Sequence, residues 1–418
     1  MNPAPQRNWK EILFSRRMLV CVFIGFSSGM PLYVLIQLVP AWLRSHGVDL
    51  ATIGLFALVS LPYTWKFLWS PLMDRFVPPF LGRRRGWAVL TQLALLLAIG
   101  LLGQFDPAES LRAIVVLVFF VSLFSASQDI VIDAYRRELL ADDELGTGNS
   151  FFINAYRLSS LVPGALALIL SDHLPWAAVY WVTAAFMLVG VATTLVINEV
   201  SDDSLAPHSL REAVVEPFRE FFRRDGTATA LAILAFMFFY KLGDNMATAL
   251  ATPFYLDMGF SRTEIGSIAK VAALWSVIAG SLIGGIAMLR LSINRALWIF
   301  GVVQMVTILG FAWLSAVGYN PTGLFLVVSA EYLGVGLGTV ALTAYIARET
   351  SRAFTATQFA LFTSFIAVPR TFANASTGFL VEAMGYTAFF LLCTAVALPG
   401  LLMLFKVAPW NELAQERE

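Results

Sequence analysis

Two aspartates, Asp129 and Asp133, stand four residues apart in the stretch SASQDIVIDAYRRE, at the end of an apolar run that begins at Leu111. On a helix this spacing places both side chains on one face, with their Cβ atoms about 6 Å apart. Neighbouring carboxylates resist simultaneous ionisation, and burial resists it further. The pair can therefore bind and release a proton, which is the chemistry that proton-coupled transport requires.

A structural reading of the same pair stays open. Asp133 lies near the end of the predicted helix, where it could cap the helix and pair with Arg136 or Arg137. Asp129 lies one turn deeper and is the stronger candidate for carrying a proton. Both aspartates are taken here as the candidates for proton coupling.

Other charged residues also fall within apolar segments, where each costs roughly 2.5–3.5 kcal/mol at a helix centre and is expected to face protein or water. Together with the two aspartates they are Lys66, Arg157, Lys241, Asp244, Lys270, Glu331 and Arg370. Basic side chains here suit an anionic, polyhydroxylated ligand. The substrate-binding candidates among them, with the neighbouring Asn154, are Lys66, Arg157, Lys241, Asp244 and Arg370.

Each of these candidates has a structural alternative. Lys66 could extend towards the membrane surface. Arg157 and Arg370 could form ion pairs with Asp129 or Glu331. Lys241 and Asp244, three residues apart, can pair within their own helix, and the adjacent Gly243 and Asn245 indicate a polar, locally unwound segment.

The composition places these residues in a membrane protein. Of 418 residues, 58% are hydrophobic and only 13% are charged, against about a quarter charged in soluble domains. The formal net charge is zero, which gives no indication of a nucleic-acid partner. No signature of an enzyme, a metal site or a cofactor site is present, and Cys21 and Cys393 both lie in apolar segments.

Twelve apolar runs reach the length of about 20 residues that a membrane-spanning helix needs. The sequence therefore predicts an all-α polytopic membrane protein with a six-helix bundle at 1–197, a connector at 198–227 and a second bundle at 228–418. The predicted spans are 18–41, 53–72, 87–104, 111–133, 149–171, 175–197, 228–252, 263–289, 296–317, 322–346, 356–380 and 386–407.

Lysine and arginine residues set the predicted orientation. With both termini inside, twenty of them lie in inside segments, and only Arg44, Arg112 and Arg262 lie in outside loops. Cytoplasmic loops carry the excess of such residues. Both termini are therefore predicted to be cytoplasmic.

The two halves of the sequence repeat each other. Pro40 and Pro253 lie 213 residues apart, and so do Arg157 and Arg370. A six-plus-six parallel repeat is the layout of major facilitator transporters, whose substrate sites lie between the halves near the middle of the membrane. The sequence thus predicts a major facilitator fold.

The loop after the second span reads Asp74-Arg75, followed by Gly82-Arg83-Arg84-Arg85-Gly86. It resembles the superfamily signature G-x-x-x-D-R-x-G-R-R with an insertion. The resemblance implies a charge relay that latches the inward gate, with Asp74, Arg75, Arg83 and Arg84 as its residues. A simple positively charged inside loop is the alternative.

Several blocks together resemble the AmpG family of muropeptide permeases. They are Ser28-Gly-Met-Pro31, Lys66-Phe-Leu-Trp-Ser-Pro-Leu-Met-Asp-Arg75, Gly82-Arg-Arg-Arg-Gly-Trp87, Ser125-Ala-Ser-Gln-Asp-Ile-Val-Ile-Asp-Ala134 and Tyr156-Arg157. Carried over onto this sequence, the family's functional positions are Gly29, Ala126, Gln128, Asp129 and Asp133.

The resemblance implies a permease of the Gram-negative inner membrane, driven by the proton motive force. Its substrates would be GlcNAc-1,6-anhydroMurNAc peptides, taken into the cytoplasm for cell-wall recycling, with a link to β-lactamase induction and antibiotic resistance. The expected partners are this small-molecule substrate, protons and the lipid bilayer. A permease for another anionic metabolite, such as a CoA ester or a drug, and a transport-dead membrane sensor remain alternatives.

Overall fold

The computed structural model of the protein describes residues 13–48, 61–200, 210–224, 226–261 and 264–411. Within these ranges, side chains are described except at 44, 210, 211, 213, 252, 266 and 368–375. All regular secondary structure in the described ranges is helical. The all-α prediction is confirmed.

Within the described ranges, ten helical segments are long and apolar enough to cross a membrane. Each overlaps one of the predicted spans. They are Arg16–Leu43, Arg83–Leu102, Leu111–Leu139, Leu145–Ser171, Trp176–Val196, Thr227–Ala249, Ser267–Ala287, Ile293–Val317, Pro321–Glu349 and Ser376–Val407.

The two remaining predicted spans correspond to shorter described segments. Part of the second, residues 53–60, lies outside the described residues, and its remainder forms the short helices Leu61–Trp65 and Ser70–Arg75 around a 3-10 turn at Lys66–Leu68. The eleventh begins the continuous helical stretch Thr355–Val407, which has a non-helical break at Gly385 with φ 76°. The positive φ at this break favours glycine, which has no Cβ.

Several spans leave α-helical geometry within their length. Pro31 lies inside the helix Arg16–Tyr33, and a π-helical turn at Val34–Leu38 follows before the helix Val39–Ser45. A second π-helical turn, Val162–Leu166, contains Pro163. Proline lacks a backbone N–H and disturbs the regular hydrogen bonding of a helix.

The seventh span is interrupted in its centre. The helix Thr227–Tyr240 ends at Lys241, and two short helices, Leu242–Ala249 and Ala251–Asp257, continue the chain. Lys241 has φ −107° and ψ 1°, outside helical geometry. The locally unwound segment expected here is present.

The connector contains a helix, Leu210–Arg224, that runs through Pro217 without interruption. The Pro217 carbonyl oxygen accepts a hydrogen bond of 2.9 Å from Nε2 of Gln358. Phe221 is buried, whereas Val214 and Val215 are exposed.

The contacts between residues divide the chain into two compact units. Unit 1 comprises Met1–Asp142, Phe151–Phe218 and Thr350–Ser364, and unit 2 comprises Asp143–Ser150, Arg219–Glu349 and Phe365–Glu418. Unit 1 has an apolar core in which Trp42 packs edge-on against Tyr180 at 5.0 Å. The core of unit 2 is aromatic, with Phe254 packed against Phe390 at 4.9 Å.

Candidate functional site

Asp129 and Asp133 lie on the helix Leu111–Leu139, and both side chains are partly exposed. Ser28, on the first span, donates a hydrogen bond from Oγ to Oδ1 of Asp129 at 2.5 Å. Ser28 is 101 residues away in the sequence, and the packing of the first span against the Asp129 helix brings it to the carboxylate. Asp129 thus has a neutral hydroxyl group as its hydrogen-bond donor.

Asp133 has charged partners. Its Oδ1 lies 2.9 Å from Nη2 of Arg136, and its Oδ2 lies 3.8 Å from Nζ of Lys66. The Arg136 guanidinium lies over the Phe152 ring at 3.8 Å, a cation–π contact that fixes its plane. The pairing of Asp133 with Arg136, which the structural alternative expected, is present, and Arg137 pairs instead with Asp142 at 3.0 Å.

Lys66 is buried and occupies the 3-10 turn that interrupts the second span. Its ammonium group approaches Asp133 and also acts electrostatically on Asp129. A side chain that extended to the membrane surface would expose its ammonium group to water. The position of Lys66 instead fits a cation held beside two carboxylates.

Aromatic hydroxyl groups surround the two carboxylates. Tyr63 donates a hydrogen bond of 2.7 Å to Oγ of Ser125, and Tyr156 packs edge-on against Tyr33 at 5.9 Å. Tyr156 lies within electrostatic range of both aspartates. Aromatic rings with a polar tip present an apolar face and a hydrogen-bonding group together, which suits a ligand with both kinds of surface.

Arg157 follows Tyr156 on the helix Leu145–Leu158 and is partly buried. It interacts electrostatically with Tyr33. Asn154, one turn earlier on this helix, is buried. Within unit 1, Lys66 lies beside Asp129 and Asp133, and Gly29 and Gln128 lie where the first span packs against its neighbours. Ala126 lies on the Asp129 helix, and Asn154 and Arg157 lie on the helix of Tyr156.

Gly29, Ala126 and Gln128 act through helix packing. A Cβ atom on Gly29 would stand 2.4 Å from the Tyr156 carbonyl oxygen, so only glycine allows the first span to approach this closely. Ala126 and Gln128 are fully buried, and Nε2 of Gln128 donates to the Ser27 carbonyl oxygen at 3.0 Å. These residues position Ser28 and Asp129 rather than face a ligand.

The candidates in unit 2 form a separate group. Nζ of Lys241 lies 2.5 Å from Oδ2 of Asp244 and donates to Oε1 of Gln304 at 3.2 Å. Pairing of Lys241 with Asp244 within one segment, the structural alternative, is thus present. The side chain of Arg370 lies outside the described residues.

The predicted gate loop contains a buried ion-pair network. Nη1 of Arg84 lies 2.9 Å from Oδ1 of Asp74, and Nη2 of Arg84 lies 2.7 Å from Oε1 of Glu138. The other oxygen of Asp74, Oδ2, accepts hydrogen bonds from the backbone amide of Thr357 at 2.8 Å and from its hydroxyl at 2.7 Å. Asp74 therefore joins this loop to the start of the helical stretch that begins at Thr355.

The other basic residues of this loop have different roles. Arg83 donates to the Asp74 carbonyl oxygen at 3.3 Å, and Arg75 lies beside the Phe76 ring at 5.7 Å. Oε2 of Glu199 accepts from the backbone amides of Arg84 and Arg85 at 3.0 Å each. Amides at the start of a helix lack partners within it, so Glu199 satisfies two of them.

Several residues of these sites were not among the sequence candidates: Ser28, Tyr63, Glu138, Gln304 and Thr357. Their partners lie far away in the sequence, and no local spacing indicates them. Two of them stood inside stretches that were singled out: Ser28, next to Gly29, and Glu138, at the end of the stretch that contains Asp129 and Asp133. Among the described residues, no group of three or more His, Cys, Asp or Glu is arranged to hold a metal ion.

Comparisons with known proteins agree with this architecture. Residues 21–374 match the model of the Major Facilitator Superfamily. The chain is 41% identical to the anhydromuropeptide permease of Escherichia coli K12 over 390 residues, which cover 93% of this chain and 79% of that protein. An uncharacterized protein of Haemophilus influenzae is 47% identical, with 96% of each chain covered. A putative transporter, AmpG 4, of Rickettsia conorii is 31% identical, with 94% of this chain and 97% of that protein covered.

Two solved structures share the fold at low sequence identity. The human organic anion transporter MFSD10 has a TM-score of 0.72 at 15% identity and is covered over 99% of its length by 93% of this chain. FucP, solved in the outward conformation, has a TM-score of 0.72 at 10% identity, with 94% of this chain and 99% of that chain covered. At these identities the likeness concerns the fold alone.

Proposed function

Because the chain belongs to the Major Facilitator Superfamily and, within it, to the AmpG family of muropeptide permeases, we propose that it imports GlcNAc-1,6-anhydroMurNAc peptides by proton symport. The chain is a multi-pass membrane transporter and not an enzyme. The proposal places it in the inner membrane with both termini in the cytoplasm. The imported products would serve cell-wall recycling and, where the regulator is present, β-lactamase induction.

The proposal of proton coupling is based on one observation: the neighbouring carboxylates Asp129 and Asp133 have different environments. Asp133 is held between Arg136 and Lys66, and these charges stabilise its ionised form. Asp129 has a hydroxyl donor, and among the described residues no cation lies within ion-pair distance of it. Asp129 is the group that binds the transported proton, and Asp133 holds the cations in place.

Lys66 connects the two carboxylates. When Asp129 is ionised, its charge attracts the Lys66 ammonium away from Asp133, which is 3.8 Å distant. When Asp129 takes a proton, that attraction disappears and Lys66 returns to Asp133. Protonation thus changes a pairing inside unit 1, and a difference in pairing between two conformations is what couples a proton to a population shift.

The substrate carries acidic and polyhydroxylated groups. In the proposal Lys66, Asn154 and Arg157 of unit 1 bind these groups. Lys241 and Arg370 are the candidates of the second half for the same role. Asp244 orients Lys241 through the contact at 2.5 Å. The Asp74–Arg84–Glu138 network, with Arg75 and Arg83 beside it, serves as the latch of the inward gate.

Uptake by proteoliposomes tests the proposal directly. Purified protein in vesicles should accumulate radiolabelled GlcNAc-1,6-anhydroMurNAc peptide under an imposed pH gradient, and an uncoupler should abolish the accumulation. If the purified protein binds a CoA ester and does not bind the muropeptide, it is instead a permease for another anion. Absence of uptake for both would favour the sensor. A C-terminal alkaline-phosphatase fusion that is active in the periplasm would refute the proposed orientation.

A further inference from the structure

A third membrane-embedded carboxylate, Glu331, lies in unit 2 on the helix Pro321–Glu349. Its side chain is completely buried, and neither of its oxygen atoms has a hydrogen-bond partner among the described residues. A buried ionised carboxylate without donors is very costly in free energy. The surroundings of Glu331 therefore have to be compatible with a neutral carboxylic acid.

The hydroxyl group of Thr307 lies close to the Glu331 carboxyl. That hydroxyl has one proton, which it donates to the Gln304 carbonyl oxygen at 3.0 Å. Its oxygen remains available as an acceptor. Only a protonated Glu331 can use this acceptor, because an ionised carboxylate has no proton to donate.

Glycines on the Glu331 helix allow the helix that carries Gln304 and Thr307 to pack closely against it. Gly334 and Gly338 follow Glu331 at three and seven residues, on the same helical face. A Cβ atom on Gly338 would overlap Oε1 of Gln304, and one on Gly334 would stand 3.0 Å from Oγ1 of Thr307. The helix Ile293–Val317 thus packs its polar side chains directly against the face that carries Glu331.

The charges around Glu331 come from several segments. Lys241 and Asp244 act on it from the interrupted seventh span, and they already form an ion pair with each other at 2.5 Å. Tyr255 and Cys393 face it from two other elements, and Tyr332 lies beside it on its own helix. With Glu331 ionised the cluster has one net negative charge, and with Glu331 protonated it is neutral.

We propose that Glu331 is a proton-binding site in unit 2 that holds its proton in the conformation described here, beside the hydroxyl group of Thr307. Release of the proton to water leaves an ionised carboxylate that competes with Asp244 for the Lys241 ammonium. Lys241 sits at a break in its helix, where a change of partner requires little rearrangement of regular backbone. The inference that Glu331 holds a proton is based on the geometry of unit 2, whereas the use of this proton in transport rests on the proposed function.

Infrared spectroscopy of the purified protein tests the bound proton without any transport assay. The difference spectrum between the protein and its Glu331→Gln variant at neutral pH should contain the C=O stretching band of a carboxylic acid. Glu109→Gln, at an exposed loop carboxylate, is the matched control and should leave that band in place. Thr307→Val should move the band, because it removes the hydroxyl group beside the acid. An acid band that is unchanged in Glu331→Gln would overturn the proposal.

Transport assays then test the use of this proton. In proteoliposomes, Glu331→Gln should exchange labelled for unlabelled muropeptide across the membrane but should not accumulate it under a pH gradient. Full accumulation with an unchanged pH profile would overturn the role of Glu331 in transport. If the unmodified protein itself transports without a pH gradient, the proposed proton symport fails, while the infrared result still decides whether Glu331 holds a proton.

Discussion

Asp129 and Asp133 lie one helical turn apart, yet Asp129 accepts a hydrogen bond from a serine hydroxyl while Asp133 is bound by an arginine and approached by a lysine. Their shared face does not make them equivalent. Protonation of Asp133 would break an ion pair of 2.9 Å with Arg136. Protonation of Asp129 breaks no ion pair among the described residues; it rearranges the hydrogen bond with Ser28 and removes the longer-range attraction of the Lys66 ammonium. The division of roles therefore follows from the partners and not from the spacing.

Replacement of Asp129 by Asn should abolish accumulation of muropeptide while exchange continues, because the amide keeps the shape but cannot bind the transported proton. For one coupled proton, each pH unit of gradient sustains about a tenfold concentration ratio. The ratio in Asp129→Asn should fall to about one. Proteoliposomes with a fixed pH gradient measure this ratio.

The exposed carboxylate Asp172 offers a matched control for this variant. Asp172→Asn should accumulate substrate normally. Asp133→Asn should differ from both, since it leaves Arg136 without its partner and should lower protein stability and exchange together. Unimpaired accumulation in Asp129→Asn would refute its role as the proton carrier.

Replacement of Gly29 by Ala should reduce transport by separating the first span from the helix that carries Tyr156. The new Cβ atom would meet the Tyr156 carbonyl oxygen at 2.4 Å, and backbone cannot yield as a flexible side chain does. Such overpacking typically costs about 1–3 kcal/mol. The thermal unfolding temperature in detergent and the uptake rate should both decrease.

Gly378→Ala is the control for this substitution. It is also a helical glycine, and no described atom lies within 4 Å of a Cβ placed there. Because alanine favours a helix over glycine by about 0.8–1 kcal/mol, Gly378→Ala should leave stability unchanged or raise it. Equal effects of the two substitutions would contradict the proposed close approach at Gly29.

The sequence was sufficient for the fold because apolar runs of about 20 residues and the repeat of the two halves are properties of the chain itself. It also located Asp129, Asp133 and Asp74, because charges within or beside such runs are conspicuous. It could not identify Ser28 as the donor to Asp129, or Thr357 as a donor to Asp74. These partners lie 101 and 283 residues away, and only tertiary packing brings them together.

The significance of Glu331 also depends on packing. In the sequence it is one of several charged residues in apolar segments. In the structure it differs from Asp244, which has Lys241 as a close partner, because its oxygen atoms have no hydrogen bond among the described residues. The spacing of Lys241 and Asp244 indicated their pair, whereas no spacing in the sequence indicates that Glu331 is without one.

Replacement of Asp74 by Asn should destabilise unit 1. The substitution leaves the buried Arg84 with Glu138 as its only acidic partner and weakens the acceptor of the Thr357 amide and hydroxyl. Removing one member of a buried ion pair typically costs about 3–5 kcal/mol, and the retained Glu138 places the expected loss near the lower end. Chemical unfolding in detergent measures it.

Asp142→Asn provides the comparison for Asp74→Asn. Asp142 also pairs with an arginine, Arg137, at 3.0 Å, but its side chain is 66% exposed. Only the aspartate of this pair is exposed, since the Arg137 side chain is 6% exposed. This variant should therefore lose less stability than Asp74→Asn, but more than the loss of a fully exposed pair, which is about 0–1 kcal/mol. Similar losses at the two positions would show that the Asp74 network does not depend on burial.

Replacement of Glu264 by Gln should lower thermal stability at neutral pH, and this difference should disappear in acid. The Glu264 carboxylate accepts hydrogen bonds from the Tyr319 hydroxyl at 2.5 Å and from the amide and hydroxyl of Ser261 at 2.8 and 2.7 Å. Its own amide donates to Oγ of Ser261, which completes a capping box at the start of the eighth span. The hydrogen bond from Tyr319, followed by those from Ser261, lowers the pKa of Glu264 below its ordinary value of 4.5.

A carboxyl whose pKa is lower in the folded state stabilises the fold above its ordinary pKa, and this contribution is lost as the pH falls through the lower, folded-state value. Melting temperatures of the parent and Glu264→Gln, measured from neutral pH downwards past 4.5, should therefore converge. Tyr319→Phe should show the same convergence, because it removes the strongest donor to the carboxylate. Glu109→Gln, which alters an exposed loop carboxylate, should follow the parent at every pH. A melting difference for Glu264→Gln that is independent of pH would mean that the amide disturbs the helix start for steric reasons, and that the charge of Glu264 contributes nothing there.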